Sequence, residues 1–125
     1  MIDLSVNEAT ALFTKAGKGA GLSWGEAQEL ARAALTKSEA QAEYLDCLET
    51  GDIQALKALV SAADQGIESD APLYQALTSQ APAPSRISLT SNELACLNQL
   101  AAKTYVPASE ESRLAGAGAG TSDND

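Results

Sequence analysis

The sequence predicts a mainly α fold, a compact bundle of five to six short helices, and three observations predict it. Four stretches carry the spacing of a capping box, in which a hydroxyl takes the amide three residues on and a Glu or Gln side chain returns to the hydroxyl residue's own amide. Behind these starts, apolar residues recur at intervals of three and four, the period of an amphipathic helix. Finally, 45% of the 125 residues are apolar but only 4% are aromatic, so the core rests on Leu and Ala, which suit close-packed helices better than strands.

In chain order, Ser5-Val6-Asn7-Glu8 opens the first helix, with Ala9, Leu12, Phe13 and Ala16 on its stripe. Ser23-Trp24-Gly25-Glu26 opens the second, whose stripe reads Trp24, Ala27, Leu30, Ala31, Ala34 and Leu35. As the only tryptophan, heading an apolar stripe, Trp24 is expected at least partly buried against the first helix. Ser38-Glu39-Ala40-Gln41 opens a third helix carrying Tyr44, Leu45 and Leu48. A fourth follows Gly51-Asp52, with Ile53, Leu56, Leu59, Val60 and Ala63 on one face, and Gly66 stops it. Pro72 sits in the first turn of a short helix through Leu77, where its missing amide is harmless. The stretch 80–85, "QAPAPS", is a linker that no helix interior accommodates. Thr90-Ser91-Asn92-Glu93 then opens another helix, and Pro107 leads into a last short one over about 109–115. Residues 1–115 therefore read as one helical domain and 116–125 as a Gly-rich acidic tail.

The chain resembles itself near its two ends. Residues 1–18 and 86–103 align at a constant offset, Ile2 on Ile87, Leu4 on Leu89, Asn7 on Asn92, Glu8 on Glu93, Leu12 on Leu97, Ala16 on Ala101 and Lys18 on Lys103. Seven identities in eighteen positions exceed the roughly one or two of an arbitrary register, so an internal repeat is expected. Each copy begins with an apolar-polar-apolar triplet, near residues 2–4 and 87–89, and the two triplets can pair as a two-stranded β-ribbon. A ribbon of two strands is marginal alone and needs helices packed on it.

Charge and composition exclude several functions. The net charge is −9, and residues 38–70 hold eight acids against Lys57 alone. Such a surface repels phosphate backbones and anionic membranes, so neither nucleic acid nor membrane is an expected partner. A helix-turn-helix reading meets the same difficulty, because Glu110 and Glu111 would face the bases with Arg113 as the only offset. The apolar runs are too short to span a bilayer and no charged-then-apolar leader is seen, which predicts a cytoplasmic protein. With no histidine, Ser-His-Asp and Cys-His nucleophile systems and His-based metal sites are out of reach. Cys47 and Cys96 share no metal-ligand spacing and read as small core residues. No metal is expected, and no cofactor or catalytic residue is indicated.

Two glycine-rich stretches bear on binding. "GKGAG", residues 17–21, lacks the second half of a phosphate loop and does not follow a strand, so it reads first as a corner between helices. Its amides beside Lys15 and Lys18 would also welcome an anion. "GAGAGTSDND", residues 116–125, reads by composition as a frayed tail. The alternative is a segment whose amides at Gly116, Gly118 and Gly120 approach a ligand or partner, with Asp123 and Asp125 taking a cation or a basic patch.

These residues carry a resemblance. The start "LSVNEATALFTKAGKGAGLSWGEAQELARAA" and the close "KTYVPASEESRLAGAGAGTSDND" are similar to the bacterial family known as domain of unknown function 3726. The shared motifs are a Leu-Ser-x-Asn-Glu start, a Gly-Ala-Gly followed by Trp-Gly, and a closing Tyr-x-Pro-Ala with a Gly-Ala repeat. The motifs lie at the two ends, and the middle is shorter and more acidic than the resemblance leads one to expect. It implies no reaction.

Two functions follow as expectations. One is a small non-catalytic interaction or accessory protein acting with another protein or within an assembly. The other is a protein binding a small anion or carboxylate, with or without catalysis, where the two end motifs meet. Its candidate residues are Lys18, Gly19, Gly21, Lys103, Tyr105, Arg113, Gly116, Gly118, Gly120 and Asp123, with Glu8 or Glu93 as carboxylate.

Overall fold

In the computed structural model, which describes residues 1–79 and 82–104, β1 (Ile2–Ser5) runs straight into α1 (Val6–Ala20). There follow α2 (Trp24–Ala34), α3 (Ser38–Thr50), α4 (Ile53–Gln65) and α5 (Pro72–Thr78), then β2 (Arg86–Leu89) and α6 (Ser91–Ala102). The fold is mainly α, with six helices among the described residues and one two-stranded antiparallel ribbon, the class and the ribbon that the sequence predicts. The last short helix expected over 109–115 and the boundary at residue 116 lie outside the described residues.

Three helix starts follow their boxes atom for atom. At α1 the Glu8 amide donates to Ser5 Oγ at 3.2 Å while Ser5 N donates to Glu8 Oε1 at 2.9 Å. Ser23 with Glu26, and Thr90 with Glu93, repeat the arrangement. Replacing Ser5 or Thr90 by alanine should therefore cost about 0.5–2 kcal/mol, seen as a lowered denaturant midpoint.

The fourth expected box does not form. Lys37, with φ −159° and ψ 157°, is the residue before α3, and Ser38 is already helical; the Gln41 amide three residues on donates to the Lys37 carbonyl at 3.1 Å and not to the Ser38 hydroxyl. Gln41, its expected partner, instead donates from Nε2 to the Ser88 carbonyl at 3.5 Å, tying α3 to the ribbon.

The ribbon pairs Ile2 with Leu89, Asp3 with Ser88, Leu4 with Ile87 and Ser5 with Arg86. This register sets Ile2, Leu4, Ile87 and Leu89 on one face, and Ile87 and Leu89 are buried there. On the other face Ser88 Oγ donates to Asp3 Oδ1 at 2.7 Å. The ribbon lies against α1, which also makes the most extensive helix contact of the molecule, with α6. On its other flank α2 packs against α1, α3, α4 and α5.

Tyr44 anchors the interior. It is 0% exposed, stacks on Phe13 with ring centroids 5.7 Å apart, and donates from its hydroxyl to the Phe13 carbonyl at 2.7 Å. The short α5 has no capping side chain of its own. Glu43 from α3 takes the Leu73 amide at its start at 2.7 Å, and Arg32 from α2 donates to the Leu77 carbonyl at its end at 3.1 Å.

Trp24 is partly buried beside α1, as the sequence predicts, but it does not anchor the core: the residue is 48% exposed, with Lys18 Nζ 5.8 Å from its ring centroid. As the first residue of α2 it precedes the buried stripe, which begins at Ala27. Leu22, just before the cap, takes the expected place and packs with Ala27 against Gly17 as a hydrophobic staple. Trp24→Ala should accordingly leave the melting temperature within a few degrees of the parent, and native tryptophan emission should be that of a partly solvated indole.

Candidate functional site

Of "GKGAG" Gly21 makes the corner between helices that the sequence predicts, and the stretch forms no amide cradle. α1 continues through Ala20, so Gly17 and Gly19 lie inside a helix whose backbone amides are taken by its own carbonyls. Only Gly21 turns, at φ 126°, where its amide donates to the Lys18 carbonyl at 3.1 Å. The helix end here presents carbonyls, the negative end of its dipole, and not the donors an anion needs. The sequence signal was real but meant close packing. A Cβ on Gly17 would meet the Tyr44 hydroxyl, and one on Gly19 would meet the Leu100 carbonyl of α6.

This contact brings part of the predicted site together. A Cβ at Gly19 would stand 3.4 Å from the Lys103 Cβ, so the ends of α1 and α6 meet, with Lys18 in the last turn of α1 and Lys103 just past the end of α6. Tyr105, Arg113, Gly116, Gly118, Gly120 and Asp123, which were to complete the site, lie outside the described residues. Glu8 and Glu93 serve the caps of α1 and α6.

A cleft that sequence reasoning did not single out lies between α3 and α6. Ala42, Leu45, Asp46 and Glu49 line it from α3, and Asn92, Glu93 and Cys96 from the first turns of α6. It encloses about 210 Å³. The spacing 42, 45, 46, 49 is one helical stripe on α3, and 92, 93, 96 is one on α6. Leu45 is buried at its floor, whereas Asp46 and Glu49 are exposed on the rim. Among the described residues the ion pairs are Arg32 with Glu29 and Lys57 with Glu26, and neither rim carboxylate takes part in one. A second, more open hollow of about 390 Å³ beside α5 is polar, and its Ser69 already accepts from Gln75 and Ala71.

The nucleophiles are turned down by their surroundings. Burial pushes the Cys47 thiol up, with Glu43, Asp52 and Asp46 adding to the effect. Burial and then Glu49 do the same to Cys96. Both thiols are free, and each is held away from the reactive thiolate. They are half-buried at the core margin, where small core residues were expected. Burial likewise raises Tyr44 far above the ordinary phenol range. Among the described residues no group of three His, Cys, Asp or Glu side chains is placed to hold a metal ion, and no helix is long and apolar enough to cross a membrane.

The carboxylates that do shift go down. The Ser5 amide lowers Glu8, and the Ser23 amide followed by Lys57 lowers Glu26. A carboxyl group whose folded pKa lies below its unfolded value stabilises the fold above the unfolded pKa and loses this as pH falls through the folded one. The melting temperature should therefore hold above about pH 4.5, the ordinary glutamate pKa, and fall progressively below it. Glu26→Gln, which can still accept the cap hydrogen bond, should flatten that fall in a thermal melt series.

A family model described as "Protein of unknown function (DUF3726)" matches residues 4–71. The chain belongs to this family. The DUF3726 match runs from β1 to the residue before α5. It takes in the acidic middle, which the end motifs alone had set apart. The α3 wall of the cleft lies within the match and the α6 wall beyond it. No curated protein and no solved structure matches the chain.

Proposed function

We propose that this protein is a small non-catalytic interaction protein of the cytoplasm that works by binding another protein. The observation that carries the reading is the α3–α6 cleft, apolar at its floor and acidic at its rim, in a chain of net charge −9. A cleft of 210 Å³ is smaller than the roughly 300–1,000 Å³ of small-molecule sites, and it suits one or two side chains of a partner. The chemistry around it agrees, since both thiols are held protonated. Free cysteines in place of a disulfide suit a reducing compartment.

The ribbon register supports an internal repeat. Moving every residue to its counterpart, as Ile2 moves to Ile87, turns the pair Ile2–Leu89 into Ile87–Leu4 and the pair Asp3–Ser88 into itself. Both resulting pairs are present, as a local two-fold axis through Asp3 and Ser88 requires. The repeated units are then β1 with α1 and β2 with α6, each joined by a capping box.

One observation favours a second reading, a small anion at the corner of Lys18 and Lys103, because packing at Gly19 brings those two helix ends together. Two experiments separate the readings. A tagged chain should recover a stoichiometric partner protein, and raised salt should weaken that complex. An anion or carboxylate that raises the melting temperature in a concentration-dependent manner, with loss of the effect in Lys18→Ala/Lys103→Ala, would favour the corner instead. Recovery of the chain without a partner would contradict the interaction reading.

A further inference from the structure

We infer that the cleft between α3 and α6 receives a cationic amphipathic segment of the partner, with a Lys or Arg meeting Asp46 and Glu49 and an apolar side chain resting on Leu45 and Cys96. This rests on the interaction reading and adds where the partner binds and what chemistry it carries.

The cleft has two distinct parts, and each selects for a feature of the occupant. Leu45 and the flank of Cys96 give an apolar floor that gains from covering by an apolar group. Asp46 and Glu49 stand three residues apart on the exposed face of α3, so both carboxylates flank one edge of the opening. Neither is neutralised by a cation among the described residues. Glu93 adds negative charge on the facing wall, with one oxygen already taken by the Thr90 amide at 2.8 Å. An acidic or phosphorylated segment would meet repulsion from three carboxylates on both walls, and an uncharged apolar one would leave the rim unpaired.

The packing around the cleft leaves room for such a segment. α6 is held chiefly through α1, and α3 packs mainly on α2 and α5 with a smaller contact to α1, so the two walls of the cleft meet each other only lightly. Only Gln41, reaching the Ser88 carbonyl at 3.5 Å, bridges α3 to the β2–α6 unit among the described hydrogen bonds.

The test uses a fluorescent Lys/Leu amphipathic peptide, with Gln/Leu and Glu/Leu peptides of the same pattern, and the intact chain. Anisotropy should show binding of the Lys/Leu peptide alone, weakened as ionic strength rises. Asp46→Lys/Glu49→Lys should reduce that affinity by about tenfold or more, the scale of reversing two close charge pairs. Asp64→Lys/Glu68→Lys makes the same change in net charge away from the cleft and should leave affinity within about twofold of the parent. Unchanged melting temperatures show that each variant is folded. Absence of Lys/Leu binding, or equal losses in the two charge-reversal variants, would overturn the assignment. If Asp46→Lys/Glu49→Lys still recovers the stoichiometric partner, the cleft assignment falls while the interaction reading stands.

Discussion

Tyr44→Ala is expected to cost the fold about 3–5 kcal/mol, the largest loss of any single substitution considered, and to lower the melting temperature steeply. The side chain is wholly buried, stacks on Phe13 from α1 and closes a hydrogen bond to the Phe13 carbonyl from a different helix. Alanine leaves a cavity where α1, α2 and α3 converge, because Gly17 supplies no side chain to fill it. A domain of this size has only about 5–15 kcal/mol in hand. Tyr44→Phe keeps the ring and loses the hydroxyl, so it should cost only about 1 kcal/mol. Circular dichroism melts of the two variants beside Trp24→Ala give the order Tyr44→Ala, then Tyr44→Phe, then Trp24→Ala. A Trp24→Ala loss as large as that of Tyr44→Ala would place the anchor of the core on the wrong aromatic.

The second large effect lies at Gly19. Its missing Cβ lets the backbone of α1 come against the Leu100 carbonyl of α6, and a backbone atom cannot turn aside as a side chain does. Gly19→Ala gains about 1 kcal/mol in helix propensity. It also forces apart the helix pair that carries most of the contact holding α6 in place. A net loss of about 2–3 kcal/mol is expected, with the melting temperature down by roughly 10 °C or more. Gly25 in α2 is the control, since a Cβ there has nothing within 4 Å. Gly25→Ala should be neutral or slightly stabilising. If both variants behave alike, the close approach of α1 and α6 is wrong.

What was legible in the sequence was local or repeated. The boxes at Ser5, Ser23 and Thr90 need only four residues each, and they formed where the spacing placed them. The ribbon followed from two triplets at the heads of similar segments. Ser38 was misread because the four-residue pattern does not say which residue is the last extended one, and here that residue is Lys37. Trp24 heads its stripe yet is only partly buried, because a stripe counted at helical spacing gives the first turn the same standing as the middle, whereas the chain before the cap, at Leu22, covers the core there. Gly17 and Gly19 look in sequence like a turn, and only the placement of Tyr44 and Leu100 shows that they are contacts. The cleft escaped for the same reason. Its walls, at residues 42–49 and 92–96, are far apart in sequence, and neither stripe is unusual by itself.

Cys96 reports directly on whether that cleft is where a partner sits. In a Cys47→Ser background it is the only thiol of the chain, and it lines the cleft wall half-exposed. Its rate of alkylation at mildly alkaline pH, where enough of the raised thiol ionises, can be followed with and without saturating Lys/Leu peptide or purified partner. Occupation of the cleft predicts alkylation slowed by about tenfold or more with either binder, and unchanged by the Glu/Leu peptide. Alkylation at the same rate while anisotropy shows the peptide bound would contradict it, and would place the binding surface elsewhere on the molecule.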